Sequence, residues 1–213
     1  MSNSTGSHEG FVSDNPPLGA VLAGGASRRM GEAKAMTRLG GRPLLDRAVE
    51  RIAPQVSAMV IVGGPAAWAE RLGVDHRADA IAGGRGPLAG LLAAMDYATQ
   101  IRSNSDFVLV TATDMPFLPA DLVSRLLGES ARGLPVIPRY GNRLQPLAAL
   151  WPRDMREKIE SGLKDNSHES MKDLYQATGF QEVSYEAAPL DPFFNVNTPE
   201  DLATAELRLG ASG

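Results

Sequence analysis

The chain has 213 residues, 43% of them apolar, which suits one medium domain or two small lobes sharing a core. Its formal net charge of −4 argues against a dedicated nucleic-acid binder but leaves room for a local basic pocket. It contains no cysteine, which excludes a disulfide framework, a thiolate zinc site and a cysteine nucleophile.

Residues 1–17 are rich in Ser, Asn, Gly and Pro and read as a disordered tail, leaving 18–213 as a single domain. The tail lacks the basic start and apolar stretch of a signal peptide. No apolar run reaches the roughly 18 residues that a membrane-spanning helix needs. A cytoplasmic protein with no membrane partner is therefore expected.

Residues 18–23 form a short apolar run that ends in Gly24-Gly25, a buried strand entering a turn. Pro43 opens a helix with Leu44, Leu45, Ala48 and Ile52 on one face, and Pro54 limits it. A second buried strand spans 58–62, closed by Gly63-Gly64-Pro65, and a short helix follows over 66–72. A glycine-rich loop at 83–90 leads into a helix over 88–98. The third buried strand, 107–110, ends at Thr113-Asp114, and a helix covers 119–127. Strand–helix alternation of this kind predicts an α/β fold: a three-layer sandwich with a mostly parallel central sheet. Beyond Pro135 the pattern loosens. Strands are expected at 135–138, 144–151, 181–185 and 193–196, and helices at 154–161, 169–178 and 199–209.

Ligands of open α/β sheets gather beyond the carboxyl ends of the strands. Three candidate motifs lie there. The first is the loop after Leu22, where Gly24-Gly25 lets the backbone approach an anion and Arg28, Arg29 and Lys34 add three cations. A triphosphate requires such neutralisation. The loop is neither a Walker A motif nor a Gly-x-Gly-x-x-Gly turn, and Gly-Gly alone would mean only a tight turn. The second is Gly86-Pro87-Leu88-Ala89-Gly90 at a helix start, whose free N–H groups favour anions. The third is Asp114, thrown to the end of a buried strand. Mg²⁺ takes one or two protein carboxylates and completes its shell with water and phosphate oxygens. The competing reading of Asp114 is a turn residue before Pro116.

The string Leu22-Ala23-Gly24-Gly25, then Arg29-Met30-Gly31 and Lys34, resembles the signature of nucleotidyltransferases that share a Rossmann-like sheet. With Gly86-Pro87-Leu88-Ala89-Gly90, Asp114-Met115-Pro116 and Asn195-Val196-Asn197-Thr198-Pro199-Glu200, it is most similar to the molybdenum cofactor guanylyltransferases. The resemblance implies a nucleotide site lined by Leu22, Ala23, Gly24, Gly25, Lys34, Asp79, Gly86, Pro87, Leu88 and Asp114. It implies catalytic roles for Arg28, Lys34 and Asp114, and Mg²⁺ on Asp114. Asn195 and Asn197 would add phosphate or metal contacts. The implied reaction moves GMP from GTP to the terminal phosphate of Mo-molybdopterin, with transient contacts to proteins that deliver or accept the cofactor.

The chain departs from the family in two places. Relatives often carry Asn after the second strand, where this chain has Gly63-Gly64. They usually show a Gly-Glu-Arg-like segment where 162–172 here contains no arginine. Arg139, Arg143 and Gln145 are candidates for an anionic acceptor, although each singly reads as surface. His168 reads as a loop residue, and Trp68 and Trp151 as core. Rival readings are a cytidylyltransferase for the same pterin, which would favour Leu-Ala-Ala-Gly in the first loop, a sugar-phosphate nucleotidyltransferase, and a non-catalytic nucleotide-binding relative.

Overall fold

The structure, a computed structural model, describes residues 15–24, 34–80, 86–130, 133–168, 170–185 and 190–211. The chain runs β1 (Leu18–Leu22), a hairpin of β2 (Arg38–Leu39) and β3 (Arg42–Pro43), α1 (Leu44–Ile52), β4 (Ala58–Val62), α2 (Ala66–Leu72), β5 (Asp75–Arg77), α3 (Gly86–Gln100), β6 (Phe107–Ala112) and α4 (Leu122–Gly128). There follow β7 (Val136–Tyr140), β8 (Arg143–Leu144), β9 (Ala148–Pro152), α5 (Arg156–Asp165), α6 (Met171–Thr178), β10 (Gln181–Tyr185) and α7 (Pro199–Ala211).

Eight strands form one sheet in the order β10-β7-β9-β6-β1-β4-β5, with β8 paired to β7. β1 lies parallel to both β4 and β6, and β4 is parallel to β5. β9 reverses the direction and runs antiparallel to β6 and β7. The chain leaves β1 toward β4 on one side and returns to β6 on the other. This change of direction opens a crevice beyond the carboxyl ends of β1 and β6.

Both faces of the sheet are covered, which is why the central strands read as continuous apolar runs. Leu18, Ala20, Val108 and Val110 face α3, α5 and α6, while Val21, Ile61, Leu109 and Leu150 face α1 and α4. Each large aliphatic side chain so buried contributes roughly 1.5–3 kcal/mol. A Cβ on Gly90 would stand 2.8 Å from Leu22 Cδ2, so glycine lets the start of α3 lie directly on the end of β1. A third, smaller cluster joins the hairpin to α7: Leu39 and Leu44 meet Val196 and Ala205. The backbone N–H of Gly40 donates to Glu206 Oε1 at 2.7 Å across the same junction.

An arginine closes each edge of the sheet. At β5, Arg77 donates to the outward carbonyl of His76 at 2.6 Å and lies 4.1 Å over the Tyr97 ring. At β10, Arg125 donates to the carbonyl of Ser184 at 2.9 Å and lies 3.8 Å over the Tyr185 ring.

The expected α/β sandwich is present, with four local corrections. Residues 144–151 are not one strand, because β8 ends at Leu144 and β9 begins only at Ala148. Residues 193–196 form no strand: the N–H of Phe193 goes to Asp191 Oδ1 and that of Val196 to the Asp114 carbonyl, not to a neighbouring strand. The helix expected from 169 begins at Met171, because Ser170 and Asp173 form a capping box. The hairpin β2–β3 and edge strand β5 are additional elements, too short to carry a period-2 signal. Among the described residues, no helix is long and apolar enough to cross a membrane.

Candidate active site

β1 and β6 are in register, with Leu22 opposite Ala112, so the residues just past each strand end meet in the crevice. Asp114 comes from the β6 side. Lys34 comes from the short 3-10 turn Lys34–Met36 that returns from the β1 loop to the hairpin. Asn197 comes from the turn before α7. Lys34 Nζ donates to Asp114 Oδ2 at 2.5 Å and also to Asn197 Oδ1. Residues 80 and 163 positions apart thus share one ammonium group.

The backbone holds this cluster in place. The Val196 N–H donates to the Asp114 carbonyl at 2.9 Å, fixing the α7 approach to the β6 loop. Thr198 caps α7 by accepting from the Asp201 N–H at 3.1 Å, and Asp201 Oδ2 accepts from the N–H groups of Asn197 and Thr198. Asn195 does not join the cluster through its amide nitrogen, which donates to the Phe193 carbonyl at 3.0 Å.

Asp114 Oδ1 is buried and has no hydrogen-bond partner. A buried carboxylate oxygen without a donor is unfavourable unless something fills the position. An oxygen-seeking cation fits that position. Among the described residues no group of three or more His, Asp or Glu assembles, so an ion here would rely on Asp114, water and substrate oxygens.

A second polar pocket lies beside the first, past β1 and β4. A Cβ on Gly24 would stand 2.9 Å from Asp79 Oδ2, and one on Gly63 would stand 2.8 Å from the Gly24 backbone. Gly63 and Gly64 have φ of +79° and +67°, a left-handed turn that a side chain would strain. The Gly63 N–H donates to the Arg77 carbonyl at 2.8 Å, and Ala23 N–H to the Val62 carbonyl at 2.8 Å. Two backbone segments, at Gly24 and at Gly63, therefore converge on one carboxylate. Burial raises the Asp79 pKa above the usual carboxylate range. Among the described residues no cation or hydrogen-bond donor meets it.

Leu22 and Ala23 border this pocket, and Gly86 and Pro87 are exposed at the start of α3. Leu88 is fully buried in the core. Gly25, Arg28 and Arg29, and residues 83–85, lie outside the described residues. Trp151 is fully buried, as expected, and Trp68 is half-buried with its ring against Gly64.

The candidate acceptor groups behave differently. Arg139 pairs with Glu182, which raises its pKa, and Arg143 pairs with Asp191 at 2.6 Å. Gln145 is buried. His168 packs its ring against Gly162 at the end of α5, a loop role. Sequence reasoning missed both ion pairs, which join residues 43 and 48 positions apart and have no local signature.

A strand-end carboxylate, a lysine shared with it and a glycine-lined polar pocket define a nucleotide-handling α/β protein. The model of the MobA-like NTP transferase domain matches residues 19–182. A protein named molybdenum cofactor guanylyltransferase from Sinorhizobium fredii is 38% identical over 87% of this chain and 88% of its own length. The solved molybdopterin-guanine dinucleotide biosynthesis protein A from Archaeoglobus fulgidus superposes with a TM-score of 0.69 at 27% identity, covering 91% of this chain and 99% of that one. A nucleotidyl transferase from Methanothermobacter shares the fold, with a TM-score of 0.74 at 16% identity over 93% of this chain and all of its own. The chain belongs to the MobA-like NTP transferase family, alongside proteins named molybdenum cofactor guanylyltransferase.

Proposed function

We propose that the protein transfers GMP from GTP to the terminal phosphate of Mo-molybdopterin, releasing pyrophosphate and forming the guanine dinucleotide cofactor. The observation that carries this reading is the Lys34–Asp114–Asn197 cluster with its unpartnered Asp114 oxygen at the crevice of β1 and β6. The acceptor monoester has a second pKa of about 6, so its oxygen is already ionised near neutral pH and needs no general base. That oxygen attacks the α-phosphorus in line. The bond from the α-phosphorus to the bridging oxygen breaks, and the electron pair leaves with pyrophosphate.

The protein's part is to position two anions and offset their repulsion. Lys34 supplies a mobile positive charge for the phosphates, and Asp114 would hold Mg²⁺. When bound, that ion supplies charge neutralisation on the phosphate oxygens. The start of the 15-residue α3 lies on the end of β1 through Gly90 and Leu22, and the N–H groups of a helix start favour an anion. Asp79 supports the choice of base. Guanine offers two adjacent donors, N1–H and N2–H, to one carboxylate, whereas cytosine offers a single amino group. A half-buried carboxylate that meets no cation among the described residues is suited to the first. Cytoplasmic action and transient contacts with cofactor-delivering or cofactor-accepting proteins belong to the same reading.

The test incubates the protein with Mo-molybdopterin, Mg²⁺ and each of GTP, CTP, ATP and UTP. A dinucleotide product from GTP with pyrophosphate in equal amount is expected. Preference for CTP would replace guanylyl by cytidylyl transfer, and no product with any nucleotide would sink the reading.

A further inference from the structure

We infer that Lys34 is a tethered stand-in for the metal: it closes the Asp114 site until a triphosphate draws it away, so that the divalent ion enters with the nucleotide and not before it. This rests on Asp114 being the metal carboxylate. Two observations carry it. Lys34 Nζ already occupies one oxygen of Asp114 and is also held by Asn197, so it bridges the carboxylate and the turn before α7. The other oxygen of Asp114 is buried and empty-handed, although a cation lies beside it.

The side chains of Lys34 and Asp114 are only 14% and 16% exposed, so solvent screens the pair little. A divalent ion approaching alone meets the fixed positive charge of Lys34 and must displace it from both acceptors. Among the described residues no other carboxylate is at hand to receive the ammonium. A triphosphate carries several anionic oxygens and gives Lys34 new acceptors as it gives the ion new ligands. Both exchanges then occur together, with the total charge at Asp114 nearly balanced throughout.

The backbone supports a swinging side chain on a fixed base. Thr37 N–H donates to the Lys34 carbonyl at 3.1 Å and Leu44 N–H to the Thr37 carbonyl at 2.9 Å, so the turn that bears Lys34 is tied to the hairpin. The hairpin is in turn tied to α7 through Gly40 and Glu206. Lys34 and Asn197 therefore move as parts of one frame, and only the lysine side chain has to rotate.

The experiment titrates the full chain with Mn²⁺ alone and reads free Mn²⁺ by electron paramagnetic resonance. Wild type, Lys34→Ala, Lys34→Gln and the double variant Lys34→Ala/Asp114→Asn are compared, each checked for its native circular dichroism. The expected result is weak Mn²⁺ binding by the wild type. Both single variants should gain one site about tenfold tighter or more, and the double variant should lose it. Lys34→Gln keeps most of the length of the side chain without its charge, so it guards against a collapse peculiar to alanine. Equal Mn²⁺ affinity in wild type and both single variants, lost with Asp114→Asn, would overturn the stand-in and leave the metal carboxylate standing. No Mn²⁺ site in either folded single variant would also overturn it. Failure of Mg²⁺ with GTP to raise the wild-type melting temperature would instead count against the nucleotidyl-transfer reading itself.

Discussion

On the β6–β1–β4–β5 side of the sheet, strands run parallel, and past their carboxyl ends stand two carboxylates with oxygens that the fold leaves unanswered. Asp79 meets no cation among the described residues, and Asp114 uses one oxygen of two. On the far side of the sheet, where β7 lies antiparallel to β8 and β9 and parallel to β10, the arginines are matched within the fold: Arg139 by Glu182, Arg143 by Asp191. Arg139 keeps a buried Nε without a partner, yet its charge is answered. An internally matched charge is already occupied. A charge left unmatched near a crevice is held in readiness for something that arrives later. The nucleotide therefore meets a prepared surface, whereas an anionic acceptor must either compete for those arginines or use other groups.

The sharpest way to break this contrast is Asp114→Asn. Turnover, read as pyrophosphate release, should fall on the order of a hundred- to a thousandfold, as when one preorganised charge-stabilising group is removed. The melting temperature should change little. Undiminished turnover would move the metal site elsewhere.

Asp79→Asn should have an intermediate effect. GTP affinity should drop about tenfold, the loss of a hydrogen bond to a charged group. Stability should move the other way. Burial raises the Asp79 pKa, so the folded chain favours its protonated form. Its contribution to stability is present at low pH and is lost as pH rises through that raised value. The asparagine variant should match or exceed the wild-type melting temperature at about pH 7 and lose the advantage toward about pH 4. A variant less stable than wild type at neutral pH would mean that Asp79 has a structural partner.

The smallest effect is expected on the matched side. Arg143 is 64% exposed, and its pair with Asp191 is worth at most about 1 kcal/mol. Arg143→Ala should leave the acceptor KM within about threefold, about 0.6 kcal/mol. A tenfold rise would show that Arg143 exchanges Asp191 for substrate.

Much of the fold could be read from the sequence, because the central strands are buried on both faces and appear as uninterrupted apolar runs. The same is true of Thr198, Pro199 and Asp201, whose spacing announces a helix start. Residues 193–196 misled the reading: alternation of polar and apolar residues imitates a strand, but Asp191 and Asp114 claim the backbone donors. At the site, Lys34, Asp114 and Asn197 were each visible as motif residues, but their mutual bonding was not. Which cations are neutralised depends on distant chain segments that only the topology brings together. Asn197 and Asn195, two positions apart, look equivalent in sequence, yet one holds Lys34 and the other donates to the Phe193 carbonyl.

The two arginines at the sheet edges have a consequence for how the molecule behaves in a crowd. A sheet grows when an extended segment of another chain finds a row of free carbonyls and N–H groups along its border. Here the outward carbonyls of His76 and Ser184 are already occupied by Arg77 and Arg125, each braced on a tyrosine ring. An intruding strand must first evict a guanidinium from both its acceptor and its ring. The sheet is thereby finished at eight strands, and polymerisation is refused at both borders by the same pair of contacts.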